Sequence, residues 1–171
     1  MSTLHAPRET IMLKPYAAED RAWLVRQHAD LYARDEGFDD SFGPLVERIL
    51  RDFEAAHDTA RERGWIAWDG EARLGSIFCV DGGAREGESL AKLRLFLLLP
   101  EARGRGLGQR LLETCMGFAR DVGYARMTLW THESHHAACA LYAKNGFSLV
   151  SSVPVTSFGV PLVEQHWERA I

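Results

Sequence analysis

The sequence predicts a mixed α/β fold, in which one sheet of parallel and antiparallel strands has helices on both faces. The first observation is the predicted element order, β-α-α-β-β-β-α-β-α-β-β, which combines consecutive strands with strand–helix–strand units. The second is an apolar run over residues 90–99 that ends at Pro100 and enters a helix through a basic, glycine-rich loop. A length of 171 residues, 46% of them hydrophobic, suits a single domain over 1–171.

The first half of the chain predicts one short strand and two helices. Residues 10–14 favour a strand, and apolar residues recur at helical spacing in 18–34 and again in 42–56. The acidic segment 35–40 lies between these two stretches and predicts a loop.

The rest of the chain predicts a hairpin followed by strand–helix units. Strands over 64–68 and 74–80 are joined by Asp69-Gly70, a dipeptide that favours a tight turn. Residues 81–89 predict a flexible loop before the strand at 90–99. The remaining predictions are a helix over 107–123, a strand over 127–131, a helix over 134–144 capped by Ser134, and strands over 147–153 and 160–167.

Charge and cysteine content exclude several classes of protein. Twenty Lys and Arg against twenty-four Asp and Glu give a net charge of −4, which disfavours binding to nucleic acid or to an anionic membrane. Cys79, Cys115 and Cys139 are odd in number and lie among apolar neighbours, as expected for buried thiols in a reducing compartment. The first ten residues lack an apolar signal core, and no window is apolar enough to span a bilayer. We therefore expect a soluble, cytoplasmic protein.

The loop after Pro100 has the composition of a phosphate site. Gly104, Gly106 and Gly108 leave the backbone bare where a diphosphate would approach, and the helix that starts there adds the positive end of its dipole. Arg103 and Arg105 can add charge-assisted hydrogen bonds.

Other phosphate loops fit less well. The Gly-Lys-Ser/Thr of a Walker A loop is missing, and Gln109 stands where a dinucleotide fingerprint requires glycine. An ATPase or a dehydrogenase is therefore disfavoured.

Two segments together carry a resemblance to a known family. Arg103-Gly104-Arg105-Gly106-Leu107-Gly108 resembles the acetyl-CoA pyrophosphate loop of the GNAT superfamily, and Ala138-x-x-Leu141-Tyr142-x-x-Asn145-Gly146-Phe147 resembles its second signature. More loosely, LYARDEGFDDSF, ERGWIA, LWTHE and SFG are similar to the acetyltransferase half of proteins that fuse a MarR-type DNA-binding domain to a GNAT domain. No part of this chain is expected to form the DNA-binding half.

The resemblance implies acetyl-CoA as cofactor and a role for particular residues. The backbone of Phe96, Leu97 and Leu98 would pair with the pantetheine arm, and His135 stands where many relatives have an asparagine that contacts the cofactor. The diphosphate would be held by Arg103, Gly104, Arg105, Gly106, Leu107, Gly108 and Gln109. Tyr142 would donate a proton to the departing thiolate.

The resemblance leaves the general base and the acceptor open. Some relatives have a catalytic glutamate at the position of Trp130, so the resemblance assigns no general base in this chain. Glu133, His132, His136 or a water relay could act as the base. The charge of the acidic loop, which holds Asp35, Glu36, Asp39 and Asp40, could attract a cationic amine.

We therefore expect an N-acetyltransferase that moves acetyl from acetyl-CoA to a primary amine of a small molecule or peptide by direct attack in a ternary complex. No resident metal is expected, and a homodimer is left open. One alternative is a non-catalytic acetyl-CoA-binding or interaction domain. The other is a zinc hydrolase, because His132-Glu133-Ser134-His135-His136 matches the H-E-x-x-H pattern.

Overall fold

The computed structural model describes residues 11–171 as one seven-stranded mixed sheet with four α-helices. Thr10, predicted to begin the first strand, and the rest of segment 1–10 lie outside the described residues. The strands are β1 (Ile11–Pro15), β2 (Arg63–Asp69), β3 (Ala72–Arg85), β4 (Glu88–Leu98), β5 (Arg126–His132), β6 (Ser148–Ser157) and β7 (Val160–Ala170). The helices are α1 (Arg21–Glu36), α2 (Phe42–Ala56), α3 (Leu107–Asp121) and α4 (His136–Lys144).

The strand order is β1-β2-β3-β4-β5-β7-β6, and the neighbours pair antiparallel except β4 and β5, which are parallel. Two apolar cores lie on opposite faces of this sheet. One is built around α3 and includes Leu111 and Cys115, while the other is built around α1 and α2 and includes Leu24 and Leu50. Burying apolar helix faces on both sides of the sheet stabilises the layers. The predicted fold class is confirmed.

The predicted flexible loop over 81–89 is wrong. β3 continues to Arg85 and β4 begins at Glu88, so the two strands form one long hairpin. Glu86 and Gly87 both have positive φ angles, 52° and 81°, as a tight two-residue turn requires. The Arg85 guanidinium donates two hydrogen bonds, of 2.8 and 2.9 Å, to the buried carboxylate of Glu168 on β7. This distant partner anchors a segment whose glycines indicated a loop.

Two predicted helix boundaries are also wrong. α1 begins at Arg21 after a short 3-10 turn and continues through Asp35 and Glu36, which were predicted to lie in a loop. Ser134 does not cap α4, which begins at His136, because its hydroxyl donates instead to Glu36 at 2.6 Å.

A buried histidine makes the fold sensitive to acid. His28 lies inside the α1 side of the core, donates its Nδ1 hydrogen to the Leu24 carbonyl at 2.8 Å and stacks on Tyr32. Burial lowers the pKa of His28 to about 4, because the charged imidazolium would lose its hydration.

The consequence for stability follows from the direction of this shift. Below a pH of about 6.5, the ordinary pKa of histidine, His28 binds a proton in the unfolded chain but not in the folded protein. The stability that His28 contributes is therefore full above that pH and is lost as the pH falls toward about 4. The loss should approach roughly 3 kcal/mol. Urea unfolding of wild type and a His28→Gln variant at several pH values measures it. Equal pH dependence of the two proteins would contradict this prediction.

Candidate active site

The site begins where two parallel strands separate. β4 pairs with β5 only from Leu90 to Lys92, and beyond Lys92 it has no partner strand on that side within residues 11–171. Leu95 has a φ of +49°, a strained value for a side chain of this kind, and its carbonyl accepts a hydrogen bond of 2.6 Å from the Ser76 hydroxyl. The pairing of β3 with β4 shifts register at this point, between Ser76 and Phe78, as at a β-bulge.

A glycine on β3 permits this bulge. A Cβ at Gly75 would collide with the carbonyl oxygen of Leu97, so only glycine fits where the two strands approach. The position of the bulge carries no signal in the sequence beyond this glycine.

The glycine-rich loop lies next to the separated strands. Gly104 and Gly106 have φ angles of +76° and +74°, and Gly106 is the N-cap residue directly before α3. A Cβ at either position would meet no described atom within 4 Å, so the backbone borders open space. Bare backbone at a helix N-terminus fits a diphosphate, because N–H donors can reach it without obstruction.

These elements enclose one cavity of about 730 Å³. It is lined by ten of the eleven residues predicted to bind the cofactor, namely Phe96, Leu97, Leu98, Arg103, Gly104, Gly106, Leu107, Gly108, Gln109 and His135. Arg105 does not line it, and its guanidinium lies 3.2 Å from the Asp69 carboxylate. The cavity brings the predicted residues together, while their contact with the cofactor stays a prediction.

The second sequence signature positions the helix on the far wall of the cavity. The Gln109 and Asn145 amides exchange two hydrogen bonds of 2.8 Å, which link α3 to the C-terminal end of α4. Asn145 also donates to the Leu141 carbonyl at 2.8 Å. The asparagine of this signature therefore orients α4, a role that the sequence analysis missed.

Tyr142 is placed beneath the cavity wall. It is 3% exposed, does not line the cavity, and has ring centroids of Phe96 and Phe147 at 6.2 and 5.7 Å. Burial raises the pKa of Tyr142 well above its ordinary value, so the phenol keeps its proton. Its catalytic role stays a prediction.

A second phenol was missed by the sequence analysis. Tyr32, on α1, lines the cavity, and burial, with a smaller contribution from Glu36, raises its pKa to about 12. Its ring contacts His135 edge to face, with 5.1 Å between centroids. Helical periodicity assigned this residue to the core only.

A carboxylate reaches the cavity from the end of α1. Glu36 is 11% exposed, accepts the Ser134 hydroxyl, and has its Oε1 3.2 Å from Nε2 of His135. Nδ1 of His135 lies 3.3 Å from the Thr131 hydroxyl. Burial lowers the pKa of His135, against the opposing attraction of Glu36, so the imidazole is neutral near pH 7. The glycine that follows, Gly37 with φ +73°, ends the helix here and was the local signal for this position.

The other acidic residues of this segment have separate positions. Asp35 also lines the cavity and lies 3.9 Å from the Arg103 guanidinium. Asp39 accepts hydrogen bonds from Ser41, which lower the pKa of its carboxyl, and Asp40 is exposed.

The candidates for the general base are dispersed. Glu133 and His136 are exposed. His132 is half-buried, its Nδ1 has no hydrogen-bond partner within residues 11–171, and burial lowers its pKa.

The zinc-hydrolase alternative does not fit this geometry. The H-E-x-x-H pattern needs both histidines one turn apart on a helix, but His132 ends β5 and His136 begins α4. In the part of the chain that the structure describes, no group of three His, Cys, Asp or Glu side chains could hold a metal ion. Over the same range, no helix is long and apolar enough to cross a membrane.

A model of the acetyltransferase (GNAT) family matches residues 22–147, which include the glycine loop and both separated strands. The chain belongs to the GNAT acetyltransferase family. Members of this family use acetyl-CoA. The diphosphate of that cofactor matches the chemistry of the glycine loop, and its pantetheine arm matches the gap between β4 and β5.

Curated relatives of this GNAT chain are longer proteins. It is 33% identical over 132 residues to a mycothiol acetyltransferase of Geodermatophilus obscurus, a match that covers 76% of this chain and 41% of that protein. It is 35% identical over 86 residues to N-acetyltransferase 8B of Rattus norvegicus, covering 48% of this chain and 38% of that protein. The chain therefore spans about two fifths of the length of these relatives.

Solved structures share the fold at low identity. An acetyltransferase from Streptococcus agalactiae has a TM-score of 0.74 at 22% identity, covering 94% of this chain and 98% of that one. The yncA protein of Salmonella typhimurium, solved with its cofactor acetyl-CoA, has a TM-score of 0.71 at 17% identity, covering 94% and 93%. These likenesses support the GNAT fold.

Proposed function

We propose that the protein transfers an acetyl group from acetyl-CoA to a primary amine by direct attack within a ternary complex. The observation that carries the proposal is the single cavity in which the bare end of β4, the glycine loop of α3 and the carboxylate of Glu36 meet. Unpaired thiols at Cys79, Cys115 and Cys139 support a reducing, cytoplasmic setting.

The proposed reaction balances with few protein groups. Acetyl-CoA supplies a thioester, whose carbon–sulfur bond breaks as a carbon–nitrogen bond forms, while nitrogen loses a proton and sulfur gains one. Backbone N–H groups near Leu97 and Leu98, on the side that β5 leaves free, are proposed to stabilise the carbonyl oxygen. Tyr142 is the proposed donor to sulfur.

Glu36 is the proposed acceptor of the amine proton. Its carboxylate accepts a hydrogen bond from the Ser134 hydroxyl and lies 3.2 Å from Nε2 of His135, and these two neighbours hold it at the cavity wall. A carboxylate held in this way can bind an ammonium group and take its proton.

The test is release of free CoA over a panel of amines, with both substrates varied. Direct attack predicts intersecting initial-velocity lines and no acetyl group on the protein after incubation with acetyl-CoA alone. A domain that binds acetyl-CoA tightly but acetylates none of the amines would support the non-catalytic alternative instead.

The rate should rise with pH because only the neutral amine is nucleophilic. For an alkylamine, log kcat/KM should climb with a slope of about 1 between roughly pH 6.5 and 8.5. Because burial lowers the pKa of His135 below its ordinary value, His135 adds no second limb in that window. A His135→Asn variant should keep the same slope. A flat profile, or a slope near 2 that this variant abolishes, would contradict the prediction.

A further inference from the structure

We infer that the acceptor is a small organic cation, a primary amine on an apolar body with no carboxylate beside the amine, and that it binds in a second cavity that shares Glu36 with the first. The inference rests on the proposed function, because it names the amine which that function requires.

The second cavity, of about 730 Å³, lies between the end of α1 and the β6–β7 hairpin. Glu36, Ser134 and His136 line both cavities. A molecule in the second cavity can therefore place its amine at Glu36, at the border of the cavity that the cofactor is proposed to occupy.

The hairpin supplies an apolar wall to this cavity. Four apolar residues of the two strands, Pro154, Val155, Leu162 and Val163, line the cavity. Pro161 extends the same surface. Such a wall favours an aliphatic or aromatic body, because burial of apolar surface is its main attraction for a ligand.

The charges that border the second cavity have one sign. Its carboxylates are Glu36 and Glu133, and no lysine or arginine of residues 11–171 lines it. The Glu133 carboxylate has no ion-pair or hydrogen-bond partner within those residues. An ammonium group is attracted here, whereas the carboxylate of an amino acid is repelled. A polyamine would place further charges against the apolar wall, where they would lose hydration.

Three amines test whether the acceptor is an apolar amine, an amino acid or a polyamine. 2-Phenylethylamine and phenylalanine share one apolar body and differ by a carboxylate, and spermidine adds charge in place of the ring. With saturating acetyl-CoA, kcat/KM for 2-phenylethylamine should exceed that for phenylalanine at least ~100-fold and that for spermidine at least ~10-fold. The preference over phenylalanine should shrink at high salt, because ions screen the carboxylates.

One variant and one control test whether the acceptor binds in the second cavity. Val155→Lys adds a cation to the apolar wall of an edge strand and should lower kcat/KM for 2-phenylethylamine ~10-fold, mainly through KM. Acetyl-CoA affinity should not change, because Val155 does not line the first cavity. Glu71→Gln, in the β2–β3 turn and outside both cavities, is the matched control and should alter nothing.

The outcomes distinguish failure of this inference from failure of the proposed acetyltransferase function. Turnover of phenylalanine or spermidine at least as efficient as that of 2-phenylethylamine, or an unchanged KM in Val155→Lys, overturns the acceptor class and leaves the acetyltransferase standing. Acetyl-CoA binding with no acetylation of any amine overturns both.

Discussion

Replacing Tyr142 by phenylalanine should lower the rate of acetyl transfer ~10²–10⁴-fold, the usual range for loss of a general acid. The substitution keeps the buried ring that contacts Phe96 and Phe147, so the melting temperature and acetyl-CoA affinity should stay close to wild type. Because burial keeps this phenol protonated, the hydroxyl is a proton donor throughout the neutral range. Steady-state kinetics and calorimetric binding measure the separation of turnover from affinity.

Tyr32→Phe is the matched control for this prediction. Tyr32 is a second buried phenol, and unlike Tyr142 it lines the cavity wall. If Tyr142 is the donor, Tyr32→Phe should retain most of the rate. A large loss in Tyr32→Phe with wild-type turnover in Tyr142→Phe would transfer the role to Tyr32, and wild-type rates in both would leave the mechanism without a tyrosine acid.

Replacing Gly106 by valine should raise the acetyl-CoA dissociation constant at least ~10-fold, or about 1.4 kcal/mol. At a φ of +74° a branched side chain strains the backbone, and its bulk would occupy the open space that borders the glycine loop. Both effects act where the diphosphate is proposed to bind. Isothermal calorimetry on the folded variant gives the affinity directly.

Gly123→Val controls for backbone strain alone. Gly123 lies just beyond the opposite end of α3, has a φ of +91° and, like Gly106, would meet no described atom within 4 Å of a Cβ. Its substitution should cost stability, by about 1–2 kcal/mol for a left-handed backbone position, and leave acetyl-CoA affinity intact. Equal affinities in wild type and Gly106→Val would remove the loop from the cofactor site.

The local sequence pattern was sufficient to predict most of the helices and the glycine-rich loop before α3. The amphipathic repeats of α2 and α3 depend on residues only a few positions apart, as do the glycines at 104 and 106. Sequence periodicity therefore captures them. The long β3–β4 hairpin was missed because its end is held by Glu168, 83 residues from Arg85. No local pattern encodes such a partner.

The sequence by itself determined the fold class, the family resemblance and ten residues that reach one cavity, since each depends on residue type and short-range spacing. Only the tertiary structure decided which acidic residues of segment 35–40 line that cavity, namely Asp35 and Glu36. They reach it because α1 extends to Glu36, whose carboxylate accepts the Ser134 hydroxyl and lies 3.2 Å from Nε2 of His135, residues 98 and 99 positions further along the chain. The Leu95 bulge likewise depends on Ser76 of the neighbouring strand. Contacts between distant segments form only when the whole chain packs, so the geometry of the site belongs to the fold.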